Sequence, residues 1–388
     1  IKLNAPLTSD IEGIARPVSH WVKTSKSSKD IANDGAEAIR QANVKPGQIA
    51  TLILPGDTAW NEGNKIESIK LNMKSNIVSS KLIDQAILQL QDAKNPLILV
   101  GGEALEENNL IKLAKVADKV GCPIKTDWFN ARLDKGAGRI NSVRIPYVVD
   151  KAVEVLKEFD TIIIIGARRP VAFFAYPNKP GVLTQDSTKF FELASISDDI
   201  TTVVEELSDR IGISNNTPST ISKFDIPDIP KGPINPMSLG MVLGALIPEN
   251  AIIVDESVTT GREFFYQTSG SHPHTWLNNC GGSIGFGMPV AIGAAISSPD
   301  QKVISLEGDG SAMYTVQSLW TMARENLDIV ILIFANQSYK ILQGELTNVG
   351  VDNPGKSAME MLSLKDPALD WVSICLLYTS PSPRDRVL

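Results

Sequence analysis

The sequence predicts an α/β protein whose parallel sheets are covered by helices on both faces. Two observations lead to this fold class. Short apolar segments alternate with segments of helical periodicity between about residues 81 and 213, and a similar alternation resumes after residue 235. Strands separated by helices pair in parallel, because each helix carries the chain back across one face of the sheet.

The first 65 residues contain too few elements for an α/β domain of their own. A helix is predicted at residues 28–43 and a strand at residues 49–54, with turns at Pro46-Gly47 and Pro55-Gly56. We therefore interpret residues 1–65 as the C-terminal remnant of a domain.

Residues 80–213 are predicted to form a central Rossmann-like domain. Helices are expected at residues 81–93, 108–120, 149–159 and 200–211, and strands at residues 96–100, 123–126 and 161–165. A nicotinamide site is not expected, because the turns at Gly101-Gly102 and Gly166 lack the Gly-x-Gly-x-x-Gly pattern of dinucleotide-binding loops. Residues 214–234, which are rich in Ser, Asn, Thr and Pro, are predicted to be a linker.

Residues 235–374 are predicted to form a third region with its own parallel sheet. Its strands are expected at residues 251–254, 303–306 and 329–334, and its helices at residues 236–246, 286–297 and about 314–326. Residues 375–388 contain two Pro and show no usable periodicity. We interpret this last segment as a non-native tail.

Composition argues against several classes of function. The 388-residue chain has a formal net charge of −7 and no block of Lys and Arg, which argues against nonspecific nucleic-acid binding. A membrane-spanning helix needs about 20 apolar residues, whereas the longest unbroken apolar run, residues 329–335, has seven. The three Cys are widely spaced and indicate neither a disulfide framework nor a zinc site, so a reducing cytoplasm is expected.

The most informative segment is Gly308-Asp309-Gly310-Ser311, directly after a predicted strand, with Asn336 just after the next strand. Two strands joined by one helix end at the same edge of a sheet, where open α/β sheets bind ligands. Glycines let the backbone approach a ligand, and a helix start suits phosphate. Carboxylate, amide and phosphate oxygens are ligands that Mg²⁺ prefers. The spacing predicts a diphosphate held through a divalent cation, although most isolated Gly-Asp-Gly segments are turns.

Two other segments could contribute to the same site. Residues 279–287 are rich in glycine and precede a predicted helix, but such a loop is equally typical of close helix packing. Residues 255–260 follow the strand at 251–254 and offer several hydroxyl groups, which could instead cap a helix.

Together these segments resemble the thiamine diphosphate motif of the superfamily of acetolactate synthases, benzoylformate decarboxylases and pyruvate decarboxylases. The Gly-Asp-Gly run, Ser311 and, after 25 residues that follow Gly310, Asn336 match that motif, whereas Gln337 stands where the family usually has a second Asn. The resemblance implies that Mg²⁺ is bound by the side chains of Asp309 and Asn336 and by the backbone carbonyl of Ser338.

The resemblance also implies roles for the glycine-rich segment. Ile284 would lie under the cofactor as a stiff wedge and force it into a bent shape. The Gly282 carbonyl would accept a hydrogen bond from the pyrimidine amino group, which makes these two residues the candidate catalytic positions. Thr259 is the candidate for contact with the diphosphate. The full set of candidate cofactor-binding residues is Thr259, Gly282, Ser283, Ile284, Gly308, Asp309, Gly310, Ser311, Asn336 and Ser338.

The activity implied by the resemblance is thiamine diphosphate- and Mg²⁺-dependent decarboxylation of a 2-oxo acid with carboligation. This is the transferase reaction of acetolactate synthases in branched-chain amino acid biosynthesis. One alternative is a non-ligating lyase like benzoylformate decarboxylase, although Ala175 stands where those enzymes carry a substrate-side His. A second is a non-catalytic homologue that acts as a binding or assembly partner. A third is a nucleotide-binding oxidoreductase, and FAD-binding patterns are not found.

Family enzymes place each site between two subunits, so a homodimer or homotetramer is expected. The Glu that activates the cofactor in this family belongs to the early part of the pyrimidine-binding domain, and no residue of this sequence corresponds to it. The chain alone is therefore expected to bind the cofactor weakly and to be inactive. His272 and His274, on either side of Pro273, are expected to lie in an exposed loop.

Overall fold

The computed structural model describes residues 6–65 and 76–378, and the chain divides into two compact units. One unit comprises Ile1–Ser80 with Ala194–Ile200, and the other comprises Lys81–Leu193 with Thr201–Leu388. Apart from Ser80 and Ala194–Ile200, the residues of the predicted central and third regions belong to the second unit.

The first unit contains a short parallel sheet flanked by helices. Its elements are α1 (Ile11–Ala15), β1 (Trp21–Thr24), α2 (Ile31–Ala42), β2 (Ala50–Ile53) and α3 (Asp57–Trp60). Strands β1 and β2 pair in parallel from Trp21↔Ala50 to Thr24↔Ile53. The predicted helix and strand of this region are both present, each a few residues shorter than expected.

The second unit begins with the elements of a parallel sheet. These are α4 (Ser80–Asp92), β3 (Pro96–Val100), α5 (Glu107–Val120), β4 (Ile124–Thr126), β5 (Arg132–Lys135), β6 (Val143–Arg144), α6 (Val149–Leu156), β7 (Thr161–Ile165), β8 (Lys189–Ala194) and α7 (Ile200–Ile211). Within the described residues the five-stranded order is β6-β4-β3-β7-β8. Every residue of β3 and β7 is buried, as expected for aliphatic strands covered on both faces.

The same unit contains a second sheet built mostly from later elements. These are α8 (Pro236–Leu246), β9 (Ile252–Glu256), α9 (Phe264–Gln267), β10 (His274–Asn278), α10 (Gly287–Ser297), β11 (Val303–Gly308), α11 (Asp309–Ala312), α12 (Ser318–Arg324), β12 (Ile329–Phe334), α13 (Lys340–Asn348), α14 (Lys356–Met361) and α15 (Trp371–Tyr378). Among the described residues its order is β12-β11-β9-β10-β5. All its neighbours are parallel except β5, which is antiparallel to β10. Helix α10 packs on β9 and β11 through small side chains such as Ala291 and Ala295.

The predicted fold class is confirmed, since parallel sheets are flanked by helices in an α/β arrangement. Strands β5 and β10 were not predicted. The expectation that His274 lies in an exposed loop is wrong, because it begins β10 between two neighbouring strands and its exposure is 3%. Strand β5 lies at the sheet edge and its sequence, Arg-Leu-Asp-Lys, has only one apolar residue. That composition gives no strong strand signal.

The helix expected at residues 314–326 is also corrected. A four-residue helix, α11, begins at Asp309 itself, a 3₁₀ turn follows at Met313–Thr315, and α12 begins at Ser318. The turn brings the Thr315 hydroxyl to the Gly285 carbonyl, to which it donates at 3.0 Å.

The C-terminal helix α15 extends four residues into the predicted tail. Cys375 and Tyr378 pack against the same apolar cluster as Trp371. Residues 379–388 lie outside the described residues. None of the helices in the described ranges has the length and apolarity that crossing a bilayer requires.

Candidate active site

Strands β11 and β12 bring the two parts of the predicted motif to one edge of the second sheet. The strands pair in parallel with Gly308 opposite Phe334. Asp309 therefore follows one strand end directly, and Asn336 follows the neighbouring end after one intervening residue. The backbone N–H of Gln337 donates to Asp309 Oδ2 at 2.6 Å, so the two segments are in direct contact.

Asp309 is a buried carboxyl group, with an exposure of 3%. Its Oδ1 accepts from the backbone N–H of Gly310 at 3.0 Å. Burial raises the pKa of Asp309, and the N–H groups of Gln337 and Gly310 oppose that rise. No Lys or Arg within the described ranges forms an ion pair with it. A bound cation would therefore provide the opposite charge that this carboxylate lacks.

The segment from Asn336 to Ser338 forms a tight turn. Asn336 Oδ1 accepts from the Ser338 N–H at 3.0 Å, and Gln337 has a left-handed φ of +56°. The Ser338 hydroxyl donates to the Leu362 carbonyl at 3.2 Å and accepts from Gln343 Nε2 at 2.7 Å. Since the hydroxyl is engaged, the backbone carbonyl is the oxygen that Ser338 could offer to a cation.

Close packing against a tyrosine ring explains the glycine at position 310. A Cβ there would lie 2.5 Å from Cε1 of Tyr339, which immediately follows Ser338. Only a residue without a side chain lets these two segments approach so closely. Ser311 is buried in α11, and a Cβ on Gly308 would touch its hydroxyl at 3.5 Å.

The glycine-rich loop, residues 279–287, begins with a reciprocal pair of hydrogen bonds. The Asn279 side chain donates to the Ser283 carbonyl at 2.6 Å and accepts from the Ser283 N–H at 3.0 Å. Gly282 has a φ of +73°, and a Cβ on it would lie 3.1 Å from Cζ of Phe173. Ile284 is 43% exposed, which is high for a stiff aliphatic side chain beside a candidate site.

Sequence reasoning missed two buried acidic residues under this loop, Glu256 and Glu307. They occupy partnered positions near the ends of β9 and β11 and are 3% and 0% exposed. Glu256 accepts backbone N–H bonds from Gly285 at 2.5 Å and Gly287 at 2.7 Å. Glu307 accepts from the Ser305 hydroxyl at 2.6 Å through Oε1, while its Oε2 has no partner within the described residues.

These contacts indicate how the acidic pair is charged. Burial, together with the neighbouring Glu256 carboxylate, raises the pKa of Glu307 to about 8. Burial also raises the pKa of Glu256, but the two N–H donors stabilise its ionised form. We therefore assign the proton of the pair to Glu307. In the sequence, Glu256 lies two residues after the predicted strand at 251–254 and Glu307 lies directly after the one at 303–306, but the sequence does not show that these strands are neighbours.

Thr259 lies on the wall of a cavity of about 450 Å³, together with Arg262, Lys340, Gln343 and other residues. Neither the Asp309 motif nor the glycine-rich loop lines this cavity, but Gln343 connects it to Ser338. Val258, which precedes Thr259, has a φ of +49°. A β-branched residue in this conformation is strained, and such strain is concentrated at functional sites.

Three apolar residues, Met313, Ile341 and Leu342, lie near the motif in sequence. Ile341 lines a second cavity, of about 190 Å³, in which Tyr176 donates a hydrogen bond to Glu345 at 2.8 Å. Met313 and Leu342 are partly exposed but do not line that cavity.

The oxygen donors at this sheet edge fit a hard divalent cation with a phosphate ligand. Across residues 6–65 and 76–378, no group of three or more His, Cys, Asp and Glu could hold a metal. A cation here would need the Asp309 carboxylate, the Asn336 amide, a backbone carbonyl and oxygens from a ligand. Mg²⁺ is commonly bound in this way, through one or two carboxylates and substrate phosphates.

Comparison with known proteins gives a consistent result. A family model described as "Thiamine pyrophosphate enzyme, C-terminal TPP binding domain" matches residues 261–378. The "Putative acetolactate synthase large subunit IlvX" of Mycobacterium tuberculosis is 35% identical over 378 residues, which cover 96% of this chain and 72% of the relative. A benzoylformate decarboxylase of Pseudomonas aeruginosa is 24% identical over 391 residues, covering 95% of this chain and 71% of the relative.

Solved structures show the same fold. A thiamine diphosphate-dependent 4-hydroxybenzoylformate decarboxylase of Rhodococcus jostii RHA1 superposes with a TM-score of 0.77 at 22% identity. The match covers 95% of this chain and 72% of that protein.

Proposed function

Because the chain belongs to the thiamine diphosphate-dependent enzyme family that contains acetolactate synthases and benzoylformate decarboxylases, we propose that it takes part in decarboxylation of a 2-oxo acid with carboligation. The proposal includes thiamine diphosphate and Mg²⁺ as cofactors. The observation that carries it is the contact between Gln337 N–H and Asp309 Oδ2, which joins the two halves of the candidate metal site.

In the proposed function, the chain binds and orients the cofactor. Asp309, Asn336 and the Ser338 carbonyl hold Mg²⁺, which holds the diphosphate. The Gly282 carbonyl accepts a hydrogen bond from the pyrimidine amino group, and Ile284 supports the bent shape. Bound thiamine diphosphate supplies the electron sink that decarboxylation of a 2-oxo acid requires. The half-exposed Ile284 supports this role, because a bound cofactor would cover it.

Carboligation is favoured over simple decarboxylation by the 35% identity to a relative described as a synthase subunit, against 24% to a decarboxylase. Incubating the whole gene product with pyruvate, thiamine diphosphate and Mg²⁺ tests the choice. An acetohydroxy acid is the expected product. Release of free aldehyde alone would assign a lyase. Cofactor binding without consumption of any 2-oxo acid would assign a non-catalytic homologue.

The proposal extends to assembly and location. The proposed assembly is a homodimer or homotetramer, the proposed location is the cytoplasm, and the proposed role is in branched-chain amino acid biosynthesis. Sedimentation of the cofactor-loaded protein tests the assembly. A monomer that retains full activity would contradict it.

A further inference from the structure

Glu256 lies at the end of β9, directly beneath the glycine-rich loop. It is the last residue of that strand and is almost fully buried. Its carboxylate does not pair with a Lys or Arg within the described residues, and its hydrogen bonds to the backbone go to the loop. A buried carboxylate is costly unless it is well hydrogen-bonded. The hydrogen bonds to the loop therefore offset the cost of burying the Glu256 carboxylate.

The Glu256 carboxylate holds two residues of the loop, Gly285 and Gly287. Oε1 accepts from Gly285 N–H at 2.5 Å, and Oε2 accepts from Gly287 N–H at 2.7 Å. Hydrogen bonds to an ionised acceptor are among the stronger ones in proteins. Gly285 has a φ of +91°, a conformation that favours glycine. At Gly287 a Cβ would overlap Glu307 Oε1 and lie 2.9 Å from Glu256 Oε2. The backbone at Gly287 therefore lies too close to the two carboxylates to carry a side chain.

The loop is thus held in both of its halves. Asn279 closes its first half through the reciprocal bonds with Ser283, and Glu256 fixes its second half together with the Thr315 hydroxyl, which donates to the Gly285 carbonyl. Ile284 directly follows Ser283, which Asn279 holds, and directly precedes Gly285, which Glu256 holds. Its exposed side chain sits on backbone that is constrained from both directions. Replacing the Glu256 carboxylate would therefore displace Ile284 while leaving the Ile284 side chain itself unchanged.

We propose that Glu256 is a positioning residue for the cofactor: its carboxylate sets the backbone of residues 285–287 and thereby the placement of Ile284 and of the Gly282 carbonyl. This inference rests on the proposed function. It assigns Glu256 to the thiazolium and pyrimidine half of the cofactor, not to the diphosphate half. The diphosphate half depends on Asp309 and the turn at Asn336, which Glu256 does not contact through any hydrogen bond in the described residues.

The test compares Glu256→Gln with Glu263→Gln, the same substitution at an exposed neighbouring position. Gln keeps the volume, but its amide group faces one of the two N–H donors, so one bond is lost. Calorimetry measures the affinity of each variant for thiamine diphosphate and for inorganic pyrophosphate, both with Mg²⁺. Pyrophosphate reports on the metal site alone. If Glu256→Gln does not fold, Glu256→Asp takes its place.

A second readout does not require the cofactor. Cys280 is an exposed thiol within the loop, and peptide mapping separates it from Cys122 and Cys375. Partial burial in the loop raises the pKa of the Cys280 thiol, so its rate of alkylation rises when the loop opens. We expect Glu256→Gln to raise that rate at least about threefold, because a loop with fewer anchoring bonds opens more often. Glu263→Gln should leave it unchanged.

The expected result is about tenfold weaker binding of thiamine diphosphate to Glu256→Gln, with pyrophosphate binding unchanged. Equal weakening of both ligands would overturn the proposal, because Glu256 would then support the whole domain. Unchanged binding of both would also overturn it. If the wild-type chain binds neither ligand, the proposed function fails and the role toward the cofactor fails with it. In that case, the same rate of Cys280 alkylation in Glu256→Gln and in the wild type would also refute the anchoring of the loop by Glu256.

Discussion

The backbone N–H of Gln337 donates a 2.6 Å hydrogen bond to the carboxylate of Asp309, although 28 positions separate the two residues in sequence. The bond exists because β11 and β12 are adjacent and parallel, so that their carboxyl ends meet. It connects a buried acidic group with a turn that presents an amide oxygen and a backbone carbonyl.

Replacing Asp309 by Ala should abolish Mg²⁺-dependent binding of thiamine diphosphate. The substitution removes the one carboxylate in the candidate ligand set, and amide and carbonyl oxygens alone hold Mg²⁺ poorly. Calorimetry with and without Mg²⁺ makes the measurement. Asp352→Ala, at an exposed acidic position, is the matched control and should bind as the wild type does. Retained affinity in Asp309→Ala would remove this residue from the site.

Replacing Gln337 by Gly should raise the free energy of unfolding by about 0.5–1 kcal/mol, because the left-handed φ of +56° is costly for Gln and not for Gly. The control is Gln317→Gly, where φ is −60° and Gly brings only an entropic cost. Urea unfolding measures the free energy of unfolding of both variants and of the wild type. Destabilisation of both to the same extent would show that the Gln337 backbone is not strained.

Replacing Gly287 by Ala should lower the free energy of unfolding by about 1–3 kcal/mol, because the new methyl group would overlap the Glu307 carboxyl group. Gly293 lies in the same helix with no atom within 4 Å of a Cβ. Gly293→Ala should therefore stabilise α10 by roughly 0.5–1 kcal/mol. Thermal and urea unfolding compare the two. Similar effects of both substitutions would contradict the tight packing at position 287.

Stability should fall as the pH falls from 6.5 to 4, in part because of His274. Burial lowers the pKa of His274 to about 4, from an ordinary value of 6.5. Within this window the unfolded chain takes up a proton that the folded chain does not, so protonation favours unfolding. The loss is about 3 kcal/mol at pH 4.

The measurement is the free energy of unfolding across that pH range for His274→Leu and for the neighbouring His272→Leu. The first variant should show a flatter dependence, and the second should follow the wild type. Identical curves for His274→Leu and the wild type would show that this ring does not titrate as its burial implies.

The sequence was most informative where a single strong pattern decides the structure. The aliphatic strands β3, β7 and β12 were predicted to the residue, because a short apolar run has few alternatives in an α/β chain. The meeting of Asp309 with the Asn336 turn followed from the parallel pairing of two strands joined by one helix, which places both carboxyl ends at one edge of the sheet.

Long-range relationships were harder to predict. Strand β5 has only one apolar residue, and its partner β10 follows a Pro flanked by two His, so neither has a clear strand pattern. The Glu256 and Glu307 pair was missed because its signal is a register between strands 51 residues apart, and single-strand periodicity does not reveal register.

Strand β5 also constrains the order in which this molecule can be assembled. Residues 132–135 complete a sheet whose other strands begin at residue 252, and Thr275 donates to Asp134 at 2.8 Å across that interval. Contacts between such distant positions form slowly, because a long chain segment must first be brought back on itself. During synthesis, residues 132–135 can therefore pair only after β10 has left the ribosome, more than a hundred residues later.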